Sequence, residues 1–446
     1  MIGKKRLLAR LEKLLVGSAA DHLEVAYWGN RESVTRYAAN RIHQNVQSDR
    51  PQVFVRAMVG RRMGLAVTNS LSTADLLRTR ESACDIARVQ PDNPECPGLP
   101  RPRKYRQVEQ RDEATIRATP MRRARLVKSF IEVVSKAGLS ADGALSVNEI
   151  ELGIVSTRGV RAHHVMSTAS VSVIASGKTS SGYGHGLSYR LQDLEAEAIA
   201  RRAVDRCNES ADPVSVKPGS YEVILEPPAL ADMLGILSLQ GFRSRTLADG
   251  TSFMVGRIGR KVTSDKITIQ DNAFERGMLC WPFDFEGMPR RKIMLIDRGV
   301  AIGGVKQRTS ESEAGDGHAP PPMWSHFGVW PWHLVVKAGR VKRDGMIAGV
   351  RRGLLVTRLH YVRNCPGSRN DTLTGLTRDG TLLIRNGEIA GGVRNLRFTD
   401  SLMRALGTTV AVSRERELVR PDAGGLGVLA PTLHLKSFRF SGNAEA

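Results

Sequence analysis

The 446-residue chain has few cysteines, few aromatic residues and no long apolar run. Its cysteines are odd in number and include no Cys-x-x-Cys pair: Cys84, Cys96, Cys207, Cys280 and Cys365. This pattern argues against a disulfide framework and predicts a reducing, cytoplasmic environment. No segment approaches the run of about eighteen apolar residues typical of a membrane span. Residues 1–16 lack the apolar stretch and cleavage site of a signal peptide, so we expect no membrane association.

Histidine-based metal motifs are also missing. None of the ten histidines is followed by glutamate, which excludes both HExxH and HExxxH zinc helices. His163 and His164 are adjacent, so in a strand their side chains point to opposite faces and cannot chelate one ion. There is no G-x-S-x-G nucleophile elbow, and no cysteine has the basic context of an activated thiolate. The sequence therefore predicts no catalytic residue and no metal ligand in this chain.

Acidic residues are outnumbered by basic ones, 45 against 66, which gives a formal net charge of +21. Such a charge is compatible with a nucleic-acid partner, because Lys and Arg neutralise phosphates. The basic residues are nevertheless scattered in short clusters, and aromatic residues that could stack on bases make up only 5% of the chain. We therefore favour a diffuse basic surface. An anionic substrate or an acidic partner subunit would also be attracted by it.

One segment resembles a phosphate-binding loop but departs from its pattern. Residues 176–179 read Ser-Gly-Lys-Thr, yet the glycine required five residues before the Gly-Lys-Thr is replaced by Ser172. Gly-rich residues 180–186 follow, where a P-loop needs a helix. We therefore expect residues 180–186 to form a loop without nucleotide-binding function.

Periodicity and turn residues predict an α+β chain of two domains, with a boundary in the Pro-containing segment 209–219. The expected domains are a mixed α/β domain at 1–212 and a β-rich domain of mainly antiparallel strands at 213–446. The first domain should contain short strands at 22–28, 33–39 and 41–47 and a hairpin around residues 60–62. Ser72, with Asp75 three residues later, predicts a helix start. In the second domain, Asp297-Arg298-Gly299 predicts a hairpin, and 373–375 and 381–385 predict separate strands.

Several segments together resemble the TldD/PmbA family, which is described both as modulators of DNA gyrase and as peptidases. They follow one another in family order: 41–45, the 53–69 hairpin, 218–227, 283–289, 295–304, 353–363, 374–380, 385–389 and 395–399. The segment 353–363, Gly-Leu-Leu-Val-Thr-Arg-Leu-His-Tyr-Val-Arg, carries most of the resemblance. Each motif alone is weakly specific, but together they span most of the chain.

The catalytic subunits of this family carry HExxxH on the helix after the Pro-Gly-strand segment, and a later cysteine completes the zinc site. The equivalent stretch here, residues 235–240, reads Gly-Ile-Leu-Ser-Leu-Gln and supplies neither histidine nor glutamate. Cys365 lies in a different strand context from the family's ligand, so no metal role is carried over to it. The resemblance therefore implies a TldE-like, zinc-free subunit. It would pair with an HExxxH partner that holds zinc and cleaves unfolded or ribosomally derived peptides.

Within that hypothesis, the expected peptide-binding residues are Arg358, Tyr361, Thr377, Arg378 and Asp379. Sheet-surface and turn roles explain these five residues equally well. Trp324, Trp330 and Trp332 are expected to form a substrate wall or a partner contact, and ordinary core packing is the alternative. Two other functions remain open: a basic nucleic-acid-associated protein, and a stand-alone peptidase with an unrecognised site.

Overall fold

The computed structural model describes residues 1–310, 315–365, 370–422 and 424–444. Its helices are α1 Lys4–Glu12, α2 Thr73–Val89, α3 Glu113–Ile116, α4 Pro120–Lys136, α5 Ala196–Glu209, α6 Pro227–Gln240, α7 Ser244–Ala248, α8 Arg343–Ala348 and α9 Leu402–Gly407. Short 3-10 helices span Leu191–Asp193 and Pro322–Phe327. These helices lie between strands of two large sheets.

The first sheet is antiparallel and has the order β3-β2-β1-β4-β5-β6. Its strands are β1 His22–Ala38, β2 Arg41–Val59, β3 Arg62–Thr68, β4 Ser140–Ser156, β5 Arg161–Ser176 and β6 Ser181–Ser188. The predicted hairpin at Gly60 is confirmed. The prediction of three short strands was wrong, because 22–28 and 33–39 form one continuous strand and 41–47 begins β2. Gly29 and Asn30, which lie between the first two predicted strands, pair in register with both neighbouring strands.

Helices cover one face of this sheet. The predicted cap of α2 is confirmed, since the Ser72 side chain accepts a hydrogen bond from the Asp75 N–H. Helices α1 and α2 pack on β1 and β2 through leucines, including Leu7, Leu11 and Leu76. Helices α4 and α5 cover β4 and β5 through a separate cluster around Phe130. The opposite face is left to contact the second sheet.

Strand β6 corrects the prediction of a loop at 180–186. A Cβ at Gly182 would lie 2.1 Å from the carbonyl oxygen of Ala203, and one at Gly184 would lie 2.1 Å from that of Ile199. The glycines therefore let α5 pack directly on the strand backbone. Because side chains alternate along a strand, Tyr183 and His185 face the other way. The sequence predicted a loop because the residues that require these glycines lie in a different element, α5.

The second sheet has the order β10-β9-β8-β11-β17-β15-β13-β12-β7, with β14 on β13, β16 on β17 and a further pairing of β17 with β7. The strands are β7 Gly219–Leu225, β8 Ile269–Asp271, β9 Ile293–Asp297, β10 Val300–Ala301, β11 Leu334–Val336, β12 Arg352–Asn364, β13 Thr372–Arg385, β14 Glu388–Gly392, β15 Leu396–Ser401, β16 Thr409–Val419 and β17 Val428–Asn443. Most pairings are antiparallel; β7 with β12 and β11 with β17 are parallel. The α+β fold class is thus confirmed.

The predicted hairpin at Asp297-Arg298-Gly299 is confirmed as β9–β10. The separation of 373–375 from 381–385 was wrong, because both belong to β13. Asp379 and Gly380 adopt positive φ within that strand, at 51° and 113°, so the backbone deviates locally without ending the strand. These turn-like residues explain why the sequence predicted two strands in place of β13.

The two sheets contact each other through an apolar cluster with members from both parts of the chain. Phe54 and Leu152 from the first sheet pack with Trp281, Phe283 and Phe285. Trp28 contacts both Trp281 and Phe285 edge-on, at ring-centroid distances of 6.3 and 5.7 Å. In the described residues, no helix is both long and apolar enough to cross a bilayer.

Candidate functional site in the cleft between the sheets

A cleft of about 380 Å³ lies between the uncovered face of the first sheet and the segment after β16. Its lining residues are Ala144, Ser146, Ser170, Val171, Ser172, Tyr183, His185, Gly186, Leu187, Val419, Arg420, Pro421, Asp422 and Gly424. Ser172 pairs with both Ala144 and His185, which places these three residues in one row across β4, β5 and β6. Small serines and alanine on this face leave room that larger side chains would fill.

Arg358 joins β6 to the second sheet. Its guanidinium carbon lies 4.3 Å from the centre of the Tyr183 ring, a cation–π distance. Arg358 Nε is also 3.4 Å from Asp379 Oδ2. Asp379 Oδ1 in turn accepts a 2.7 Å hydrogen bond from the Ser181 hydroxyl. The structure therefore brings two of the five predicted peptide-binding residues together, with Arg358 over the ring of Tyr183, which lines the cleft.

Of the other three predicted residues, Arg378 approaches Asp379 of this pair. Thr377 is buried, and its hydroxyl oxygen accepts a 2.9 Å hydrogen bond from the Leu396 N–H. The Arg378 side chain is 51% exposed and its Nε lies 4.0 Å from Asp379 Oδ1. Tyr361 is 62% exposed and has a positive φ of 52°. Peptide binding by all five residues remains a prediction.

Sequence reasoning missed the aromatic side chains of β6. The rings of Tyr183 and His185 stack at 5.6 Å with an interplanar angle of 10°. Burial raises the pKa of Tyr183 to about 12, so its hydroxyl stays protonated at neutral pH. Burial lowers the pKa of His185, while the carboxylate of Glu417, 3.4 Å from its Nε2, opposes that effect. The alternation Gly-Tyr-Gly-His-Gly was the available signal, since a period of two indicates a strand.

An acidic pair on the other side of the cleft was also missed. Asp232 lies on α6, and its Oδ1 accepts a 3.0 Å hydrogen bond from the Asp422 N–H. Burial raises the pKa of Asp232 to about 7. A single acid within the apolar helix 227–240 was the sequence signal for Asp232. Nothing local pointed to Asp422, because it meets Asp232 across 190 residues of chain.

A second pocket adjoins the cleft and contains the three predicted tryptophans. It lies beneath α6 and is lined by Trp324, Trp330 and Trp332 together with Gly235, Ser238 and Leu239. Trp324 is 40% exposed, whereas the other two are half-buried. Pro421 and Gly424 line both pockets, so the two spaces adjoin at these residues.

The donor set beneath α6 does not fit a catalytic zinc ion, which needs three nitrogen, sulfur or carboxylate ligands. The α6 residues in the pocket are glycine, serine and leucine, and the Ser238 hydroxyl donates to the Pro331 carbonyl at 2.6 Å. Asp232 already accepts the Asp422 N–H. Across the described ranges, no group of three His, Cys, Asp or Glu side chains is placed to hold a metal ion.

Comparison with known proteins agrees with this architecture. Residues 218–442 match the PmbA/TldA metallopeptidase C-terminal domain, and residues 118–210 match the central domain of the same proteins. The chain therefore belongs to the TldD/PmbA family of metallopeptidases. This confirms the resemblance inferred from the motifs.

Two curated relatives are named as metalloproteases. The chain is 23% identical over 400 residues to the Haemophilus influenzae metalloprotease TldD homolog, covering 82% of this chain and 80% of that protein. It is 22% identical over 251 residues to a metalloprotease of Methanothermobacter thermautotrophicus, covering 54% of this chain and 53% of that protein. The second match thus spans only about half the length of each protein.

Two solved structures share the fold. TldE from Thermococcus kodakarensis superposes with a TM-score of 0.86 at 22% identity, covering 98% of this chain and 99% of that one. A Thermotoga maritima protein, proposed to be a modulator of a DNA gyrase, gives a TM-score of 0.82 at 18% identity, covering 94% and 96%. At these identities the likeness establishes the fold alone.

Proposed function

We propose that this chain is the zinc-free subunit of a heteromeric, cytoplasmic TldD/TldE-type peptidase and that it holds unfolded or ribosomally derived peptides. One observation carries the proposal. The helix that follows the Pro-Gly-strand segment, α6, presents Gly235, Ser238 and Leu239 to its pocket instead of metal ligands. A chain of this family without zinc ligands needs a partner that carries HExxxH for hydrolysis.

The cleft supports a role in binding an extended peptide. One of its walls consists of strands β4, β5 and β6, with Ser146, Ser170 and Ser172 supplying small hydroxyl groups. Strand surfaces and small polar groups suit main-chain recognition that is largely independent of peptide sequence. Arg358 and Asp379, held by Tyr183 and Ser181, supply opposite charges next to Tyr183, which lines the cleft. Hydrolytic chemistry would belong to the partner, and this chain would bind and orient the substrate.

Co-expression with a candidate HExxxH partner tests the proposal. Size-exclusion chromatography should give a complex of the two chains, and metal analysis should find zinc only when the partner is present. The complex should cleave an unfolded, casein-derived peptide, whereas this chain alone should not. Chelator-resistant cleavage by the isolated chain would support a stand-alone hydrolase, and stoichiometric zinc in the isolated chain would overturn the assignment.

Nucleic-acid binding is a second candidate, favoured by the net charge of +21 and by the fold shared with the Thermotoga protein linked to gyrase modulation. It predicts DNA affinity that falls steeply with salt, because binding releases counterions from phosphates. Binding that persists without the partner and loses about a thousandfold or more between 50 and 200 mM salt would favour this function. Weak binding with little sequence or salt dependence would argue against it.

A further inference from the structure

The tryptophan pocket beneath α6 has a volume of about 150 Å³. Its remaining walls are Pro331, Leu334, Pro421, Gly424, Gly425, Gly427 and Val428. None of the described residues that line it is charged. An apolar cavity of about this volume accommodates a benzene ring. The pocket therefore matches one aromatic side chain in size and polarity.

The aromatic walls of the pocket are held in place. The rings of Trp330 and Trp332 stack at 5.4 Å with an interplanar angle of 15°. Trp281 supports Trp332 from within the core at 5.8 Å. The buried Asp271 carboxylate accepts the backbone N–H groups of Trp332 and His333 at 2.6 and 2.8 Å. A pocket fixed by stacking and buried hydrogen bonds loses little entropy when it is filled.

Two polar side-chain groups of the pocket walls differ, because the buried Trp332 Nε1–H has no hydrogen-bond partner among the described residues whereas the Ser238 hydroxyl has one. The Ser238 hydroxyl donates to the Pro331 carbonyl, so its proton is already engaged. On the opposite side, no atom lies within 4 Å of the position that a Cβ would occupy at Gly424 or Gly425. These two glycines leave the rim of the pocket open towards the segment that it shares with the polar cleft.

We propose that this pocket is a specificity subsite that receives an aromatic side chain of the peptide. The inference rests on the proposed function in one respect, namely that the molecule in the adjoining cleft is a peptide. Pro421 and Gly424 line both spaces, so a backbone lying along the serine-lined strands can place a side chain beneath α6. Burying a ring between indole faces favours phenylalanine or tyrosine over small or charged residues.

Isolated full-length chain is sufficient for the test, which separates this inference from the question of a partner. Binding of end-blocked pentapeptides Ala-Ala-Xaa-Ala-Ala, with Xaa as Phe, Ala or Lys, is measured by intrinsic tryptophan fluorescence and calorimetry. The Phe peptide should bind about tenfold or more tighter than the Ala peptide, as expected for burial of one aromatic side chain. The Lys peptide should gain nothing over the Ala peptide.

Two variants locate the preference. Leu239→Trp adds an indole at the pocket wall and should reduce the Phe-to-Ala affinity ratio to about one. Trp330→Ala removes a stacked wall and should also abolish the preference. The matched control, Val89→Trp, adds the same side chain at an 81% exposed site on α2 and should keep the full ratio.

A Phe-to-Ala ratio within twofold, or no measurable binding of either peptide, would overturn the subsite. So would a preference that survives Leu239→Trp in a variant with native circular dichroism. Failure of the partner to bind or to carry zinc would refute the proposed function but leave this selectivity standing. A complex that cleaves peptides without aromatic preference would support the proposed function and refute the subsite.

Discussion

Arg206 Nη2 lies 2.9 Å from Glu226 Oε1, and both side chains are buried. The contact joins α5, which packs on the first sheet, to the residue that precedes α6 in the second part of the chain. Glu226 also pairs with Arg343. Burial by itself would raise the pKa of Glu226, but the charges of Arg206 and Arg343 outweigh it and lower that pKa to about 2. The two parts of the chain are thus joined by a charged contact from which water is largely excluded.

Replacing Arg206 with methionine should destabilise the fold, because Glu226 would lose its closest partner from α5 while remaining buried. Breaking a buried ion pair from one side costs about 3–5 kcal/mol. Chemical denaturation monitored by circular dichroism measures the change. The control is Arg201→Met on the same helix, where the side chain is 66% exposed and pairs with Glu197. That change should cost less than about 1 kcal/mol, and equal losses in the two variants would contradict the role of the buried contact.

Asp232 should make stability fall as pH rises. Its folded-state pKa of about 7 lies above the ordinary value of 3.8, so between these values the native state binds a proton that the unfolded chain has released. Asp232→Asn cannot ionise and should exceed the wild type in free energy of unfolding by roughly 2–4 kcal/mol at pH 8. The difference should shrink towards zero near pH 4. Denaturation curves across this range provide the measurement.

The control for Asp232 is Glu81→Gln, a carboxylate whose side chain is 64% exposed. Because this carboxylate is exposed to solvent, its replacement should not reproduce the gain in stability expected for Asp232→Asn. A constant offset between Asp232→Asn and the wild type at every pH would show that Asp232 ionises alike in the folded and unfolded states.

Gly184→Ala should weaken the contact between α5 and β6. The new methyl would lie 2.1 Å from the Ile199 carbonyl oxygen, so the helix or the strand must shift, at a cost of about 1–3 kcal/mol. Gly345→Ala is the matched control. It lies in α8 with no atom within 4 Å of the added methyl, so it should be neutral or slightly stabilising. The melting temperatures of the two variants provide the measurement. An unchanged melting temperature for Gly184→Ala would show that α5 is not in close contact with β6.

Arg358→Met should reduce peptide turnover by the complex with its partner about tenfold while leaving assembly intact. The change removes the cation over Tyr183, which lines the cleft, and the countercharge of Asp379. Arg201→Met is the control, since that side chain is 66% exposed on α5 and pairs with Glu197. Steady-state cleavage of an unfolded peptide is the readout. Equal activity of the two variants would remove Arg358 from the binding site.

Features encoded by neighbouring residues could be predicted from the sequence. The cap at Ser72, the turn at Gly60 and the Asp297-Arg298-Gly299 hairpin each depend on a few consecutive residues, and all three were found. Features created by tertiary packing could not. Strand β6 was mistaken for a loop because its glycines are needed for close packing against α5. The contact of Asp232 with Asp422 joins residues that are 190 positions apart in the sequence. Family resemblance, rather than periodicity, directed attention to Arg358 and α6.

Alternate residues of β6 have two different roles: one set packs against α5 and the other borders the cleft. Positions 182, 184 and 186 must remain without side chains so that the neighbouring helix can approach, whereas 183, 185 and 187 border the space where a ligand would lie. Exchanges at the latter three positions would reshape that space without disturbing the helix behind it. An engineer seeking altered peptide preference could therefore vary these three positions and would at the same time change the contacts of Tyr183 with Arg358 and of Leu187 with the apolar cluster.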